Sequence, residues 1–179
     1  MKTTIIIIIF ALTGMMLTAQ TSYKKIDSDG IANIVFASKA ISKGAEASAG
    51  LKTEFKPGEA IYARCYFPQA FGKYNARTDE EFVVDVWING RFAERKVWQH
   101  PEKDWDQIQM YVANTGDDHF KELSSKLEFL DDGENTIMIT VGLERYMHTK
   151  DVIQDDGSIR KEKVFKLQII SKGKFVIVV

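Results

Sequence analysis

The sequence predicts an all-β fold, a two-sheet antiparallel β-sandwich with one short helix, and three observations predict it. Apolar and polar residues alternate with a period of two along most of the chain, the pattern of strands that bury one face. Turn chemistry interrupts that alternation at short intervals, at Pro57-Gly58, Asn89-Gly90, Thr115-Gly116, Asp131-Asp132-Gly133, Asp155-Asp156-Gly157 and Lys172-Gly173. Many short strands with this spacing pack as a sandwich or a barrel.

The amino terminus stands apart from that pattern. A singly charged start at Met1 to Thr4 leads into an apolar run from Ile5 to Leu12, then into small and polar residues ending at Ala19 before Gln20. That is the layout of a secretory signal peptide, and the apolar run is shorter than the roughly 20 residues a membrane span requires. The junction carries no cysteine for a lipid anchor. Residues 1–19 are therefore expected to be a leader, and residues 20–179 one exported domain, periplasmic or extracellular, with no membrane span in the mature chain.

Strands are expected at residues 33–39, 51–56, 60–67, 81–88, 91–98, 106–113, 135–143, 162–171 and 174–179, each rich in Val, Ile, Phe, Tyr or Thr. Residues 44–50, rich in Ala and Ser, read as a flexible loop. Phe120, Leu123, Leu127 and Leu130 recur at helical spacing between a capping Asp118 and Gly133, so 120–126 is read as a short helix. A strand using Leu127 and Phe129 is the alternative. The apolar ending Phe175 to Val179 is either paired within the domain or offered to a partner, because such a strand left on a sheet edge invites aggregation.

Charge excludes some functions. The chain has 24 Lys+Arg and 25 Asp+Glu, and removing Lys2 with the leader leaves 23 against 25, a net charge of −2. No basic surface for nucleic acid is implied. Cys65, the only cysteine, alternates with Ile61, Ala63 and Phe67 and reads as a small buried hydrophobe. His100, His119 and His148 have no metal-ligand spacing, and His100 beside Pro101 and His119 beside Asp118 read as solvent-facing loop residues. The acidic clusters coincide with turns, and Lys25 occupies the position where a calcium loop around Asp27 needs an oxygen ligand. No nucleophile elbow or phosphate loop occurs, so no catalytic residue, cofactor or metal is assigned.

Asn89-Gly90 is the strongest local signal, since both residues tolerate the positive φ of a type I′ hairpin turn. A two-residue turn there makes facing residue numbers sum to 179. One side then carries Phe82, Val84, Val86 and Ile88, expected to face the core, and requires Arg91 and Arg95 to escape toward solvent. The other pairs Trp87 with Phe92, and sets Asp85 against Glu94, a like-charge pair that needs compensation. Lys96, diagonal to Asp85, is the expected neutraliser. Asp85, Trp87, Phe92 and Glu94, with Trp98 and Trp105 around a polar loop, form the candidate binding surface. Core packing of these aromatics is the competing explanation.

The stretch from Phe120 through Leu123, Leu127, Leu130 and Gly133 to Ile137, Ile139 and Val141 resembles the corner of immunoglobulin-like and fibronectin type III-like sandwiches. There a leucine-bearing turn leads through glycine into an alternating strand. The resemblance covers about twenty residues, implies a Greek-key sandwich, and lacks the paired cysteines of a true immunoglobulin domain. Function stays open among three readings. The first is a non-enzymatic module binding another envelope or extracellular macromolecule, a protein in the first instance. The second is a carbohydrate-binding module stacking a polysaccharide on Trp87, Phe92, Trp98 or Trp105. The third is a hydrolase using Asp85 and Glu94.

Overall fold

The computed structural model describes residues 23–98 and 101–179, so the expected leader, Gln99 and His100 lie outside the described residues. The described chain is mostly strand. Its elements are β1 Ala32–Ala37, β2 Glu54–Phe55, β3 Ile61–Tyr66, β4 Phe82–Ile88, β5 Arg91–Trp98, β6 Gln107–Ala113, α1 Leu123–Leu127, β7 Glu134–Ile153 and β8 Ile159–Val178. Short 3₁₀ turns at Glu46–Ala49 and Phe71–Tyr74 complete it. The first falls within the segment expected to be a flexible loop, and the helix begins three residues later than expected.

The strands form one hydrogen-bonded path in the order β5-β4-β7-β8-β1-β3-β6, with β2 beside β8, and the larger part of it curls as a half-barrel. All-β architecture is thus observed. The ladder is not antiparallel throughout, because β1 and β2 run parallel to β8. β1 pairs with β8 only at Ala32 and Asn33, then leaves it and pairs antiparallel with β3 from Ile34 onward.

Gly173 permits that departure. The Lys172-Gly173 pair predicts a turn, yet β8 runs straight through it. A Cβ at Gly173 would lie 2.6 Å from the Ile34 Cβ and 2.9 Å from the Ile34 carbonyl oxygen. The glycine is therefore required for close approach of β1 to β8, a second reason for glycine within a strand.

The inner faces enclose the main apolar core, and a smaller cluster of Ala37, Ile41 and Ala49 lies apart from it. Phe36, Phe55, Phe67, Phe120, Phe175, Ile137 and Leu143 are among the fully buried members of the main core, and the Phe175 ring packs on Phe36 and Phe55 at 4.8 and 5.3 Å between centroids. Cys65 is buried there as expected, and burial holds its thiol far above the usual range. The carboxy-terminal segment is accordingly an interior strand, with β7 on one side and β2 on the other.

The two outermost strands, β5 and β6, are bridged by the helical segment. The His119 N–H donates to the Tyr111 carbonyl at 2.8 Å, and the Lys96 ammonium donates to the His119 carbonyl at 3.3 Å. Lys126 donates to the Ala93 carbonyl at 2.6 Å, while Phe120, Leu123 and Leu127 plug the core beneath. Asp118 anchors the approach by accepting from the Asn114 and Thr115 amides and the Thr115 and Ser124 hydroxyls. It therefore caps the preceding turn, not the helix itself.

Two substitutions test this packing in urea unfolding. Phe175→Ala is expected to lower stability by about 3–5 kcal/mol through loss of buried area and the cavity left behind. Gly173→Val is expected to cost about 1–3 kcal/mol or more by overpacking against Ile34, whereas Gly116→Val, in an open turn, should leave the β1–β8 contact intact.

Candidate functional site

The candidate surface lies on the outer face of β5, β4, β7 and β8, and its register is set by a bulge. Asn89 and Gly90 adopt φ of 50° and 77°, and the first two pairs, Ile88 with Arg91 and Trp87 with Phe92, match the expected register. Between Val86 and Trp87 the register then slips by one residue, so that Val86 faces Glu94 and Asp85 faces Arg95. The expected Asp85–Glu94 pair does not form. A bulge moves every later side chain of its strand by one place, which here exchanges a like-charge pair for an opposite-charge one.

Asp85 is 2% exposed and receives a two-pronged grip from Arg95, Nε to Oδ1 at 2.6 Å and Nη2 to Oδ2 at 2.8 Å. The remaining arginine nitrogen donates to Glu144 on β7 at 2.5 Å. Planar guanidinium against planar carboxylate is the strongest form of this contact, and it stitches three strands across the outer face. The hydrogen-bonded Asp85 carboxylate, with Glu144 adding to it, holds the Arg95 guanidinium above its usual pKa against the opposing effect of burial. Arg95, and not Lys96, is thus the neutraliser of Asp85. Glu94 is diverted to the helix, where its carboxylate accepts the Glu122 N–H at 3.2 Å.

Above this ion pair sits a row that crosses three strands: Phe92 on β5, Trp87 on β4 and Met138 on β7, with Lys174 following on β8. The Trp87 and Phe92 rings meet edge to face, 5.6 Å apart with an interplanar angle of 81°. Phe92 is 55% exposed, Met138 is 37% exposed and Trp87 is partly exposed, so no described element covers this row. The inner residues Phe82, Val84 and Val86 face the core as expected, and Ile88 is partly buried.

Trp98 and Trp105 belong to a different place. Trp98, at the end of β5, packs against the core and lies 6.3 Å from the His119 ring. Trp105 is 48% exposed beside it, and both line a hollow at the start of β6. The six candidate residues therefore divide into an outer-face set of Asp85, Trp87 and Phe92, a helix-capping Glu94, and a Trp98–Trp105 set.

His119 corrects the expectation of a solvent-facing histidine. Its Nδ1 is buried without a hydrogen-bond partner, and its ring lies 5.1 Å from Tyr111. Burial, with the nearby Lys96 charge, depresses its pKa below 6.5 against the opposing pull of Asp118.

The largest feature missed in the sequence is the length of β7 and β8. Both run for 20 residues, and past Tyr146 and Phe165 they continue as a two-stranded arm with Ile153 facing Ile159 at its exposed tip. A lone hairpin is marginal in water. The loop at residues 74–81 braces this one: Glu80 accepts from Arg145 at 3.1 Å and from the Tyr146 N–H at 2.9 Å. Lys163 reaches Asp79 at 2.8 Å, and Arg77 covers the Tyr146 ring at 4.4 Å. The signal available beforehand was the pairing of Asp151 with Lys161 and of Lys150 with Glu162 about the Asp156-Gly157 turn.

Among the described residues, no cluster of three or more His, Cys, Asp or Glu side chains could hold a metal ion, and no helix is long and apolar enough to cross a membrane. Comparison with protein-family models, curated proteins and solved structures gives no match. The functional reading accordingly rests on the geometry alone.

Two outcomes check this geometry. Arg95→Ala, which leaves the Asp85 carboxylate buried and unpaired, is expected to cost about 3 kcal/mol in urea unfolding, and Asp85→Ala combined with it should cost less than the sum of the single changes. Because the unfolded chain takes up a proton at His119 before the folded chain does, stability should fall as pH drops below 6.5 and level off at the lower folded value. Melting temperatures between neutral pH and about pH 5.5 should carry this slope, and His119→Gln should flatten it.

Proposed function

We propose that this is an exported, non-enzymatic β-domain that binds another protein of the envelope or extracellular space through the outer face of β5, β4 and β7. The observation that carries the reading is the uncovered Phe92–Trp87–Met138 row. Apolar area of this kind, aromatic and methionine-rich beside a polar surround, is the composition of contact sites more than of ordinary surface. Directly below it, the Asp85–Arg95–Glu144 network stiffens the sheet, so the row is presented in one arrangement and binding orders little.

Non-enzymatic action is supported by the commitment of both candidate carboxylates, Asp85 to Arg95 and Glu94 to the Glu122 amide. A sugar platform on this face is disfavoured by the near-perpendicular rings of Trp87 and Phe92. Export is supported by the leader-like composition of residues 1–19.

We further read the domain as an immunoglobulin-like sandwich. In that fold the strands C′, C, F and G form one sheet, and A, B and E share the other. The order β5-β4-β7-β8 corresponds to C′-C-F-G and β1-β3-β6 to A-B-E, with α1 and Gly133 leading from E to F. Strand β1, divided between β8 and β3, then links the two layers.

A photo-crosslinking amino acid substituted for Phe92 in the producing cell is expected to trap a discrete protein adduct outside the cytoplasm. Met138→Asp should abolish it, a loss of about 2 kcal/mol or more at such a contact, while the same probe in place of exposed Ile153, at the tip of the arm, should trap nothing comparable. Identical adducts at both positions, or indifference to Met138→Asp, would overturn the proposal.

A further inference from the structure

The hollow between Trp98 and Trp105 has the makings of a second site, distinct in place and chemistry from the outer face. Its volume is about 350 Å³, within the range of small-ligand pockets. Trp105 forms one wall with half of its surface open to solvent, and Trp98 forms another. Asp104, Gln107 and the buried Arg64 also line it.

Two polar groups in this hollow lack partners among the described residues. The Gln107 side-chain amide lines the hollow without a hydrogen bond inside the described chain; its Oε1 is enclosed by protein, so the Nε2 donor is the end that can meet a ligand. The Asp104 carboxylate, on the same rim, makes no hydrogen bond or ion pair within the described chain, whereas neighbouring Asp106 lies 3.7 and 3.8 Å from Lys24 and Lys43. Arg64, by contrast, is satisfied, donating to the Ile41 carbonyl and to Gln109.

The walls are fixed before any ligand arrives. Gly72 donates its N–H to the Lys103 carbonyl at 2.7 Å, and a Cβ there would come within 3.0 Å of the Lys103 Cβ, so the turn bearing Trp105 is pressed against the 3₁₀ segment. Phe71 donates to the Trp105 carbonyl and Phe67 to that of Asp106, both at 2.9 Å. An indole held at the edge of a hollow, beside an unpaired carboxylate and an amide N–H, matches a pyranose: the apolar ring face covers the indole while equatorial hydroxyls donate to the carboxylate and accept from the amide.

We propose that this hollow is a saccharide-binding subsite, with Trp105 stacking on a sugar ring, Asp104 accepting from its hydroxyls and the Gln107 Nε2 donating to one of them. The ligand class is a neutral pyranoside chain, since Asp104 and Asp106 balance Lys43 and Arg64 around the opening.

Tryptophan fluorescence and calorimetric titration of the full domain with cellohexaose, xylohexaose, mannohexaose and chitohexaose test it. At least one should bind at millimolar concentration or below. Trp105→Ala should weaken that binding at least tenfold and Trp105→Phe by less, because a smaller ring still stacks. Gln107→Leu should also weaken it about tenfold, with near-ultraviolet circular dichroism reporting retention of the fold. Trp87→Ala should leave it unchanged, which separates this site from the outer face. Failure of all four saccharides to bind, or binding that ignores both Trp105→Ala and Gln107→Leu, would overturn the assignment whatever the fate of the protein-binding reading.

Discussion

The ladder between β7 and β8 holds the rest of the molecule in place. Its lower half supplies Ile137, Ile139, Val141, Phe175 and Ile177 to the core, so the two strands form the centre of the sheet and not its border. β4 pairs along β7, and β1 and β2 attach to β8, which means that every other layer takes its position from this pair. Its upper half leaves the core altogether and becomes the arm. One uninterrupted ladder thus couples the packed body to the projecting end, with register shifts at Val141/Gly142 and Tyr146/His148 re-aiming the side chains where the environment changes.

Most of the charged groups buried among the described residues are compensated by geometry. Asp85 is acceptable beneath the outer face because the slip in β5 delivers a planar guanidinium to both of its oxygens. Tyr66 donates to Glu46 at 2.8 Å in a similar enclosed setting. Burial opposes the Glu46 charge, and backbone amides, the Tyr66 hydroxyl and Arg64 more than offset it, so its carboxyl stays below the usual range. Three enclosed atoms, the Tyr74 hydroxyl, the Gln107 Oε1 and the His119 Nδ1, have no partner among the described residues, and the apolar row at Phe92, Trp87 and Met138 has no cover. In the two proposals above, that row and the Trp105 hollow are completed from outside the chain.

Much of the body was legible as alternation. The strands around Ile61, Val84 and Met110 were placed within a residue or two, and the Asn89-Gly90 turn was identified with its first two cross-strand pairs. The failures share a cause. The bulge after Trp87 has no local signature in Phe92-Ala93-Glu94, since it is selected by what the slipped register gains, Arg95 on Asp85 and Lys126 on the exposed Ala93 carbonyl. Gly173 carries the same residue type for a turn as for a crossing strand. His119 looked like a loop residue because the partners that bury it, Tyr111 and Trp98, come from other elements.

By itself the sequence determined the strand-rich class, the polarity of each strand's two faces and the turn at Asn89-Gly90, because alternation and positive-φ preference are properties of adjacent residues. It also fixed that Cys65 belongs inside, through its alternation with Ile61, Ala63 and Phe67. Only the tertiary structure decided which strands are neighbours, that β1 divides itself between β8 and β3, that Asp85 meets Arg95, and that Trp87 and Trp105 serve separate surfaces. Those outcomes depend on contacts between residues far apart in the chain, whose free energy comes from packing and desolvation in three dimensions and leaves no periodic trace along one.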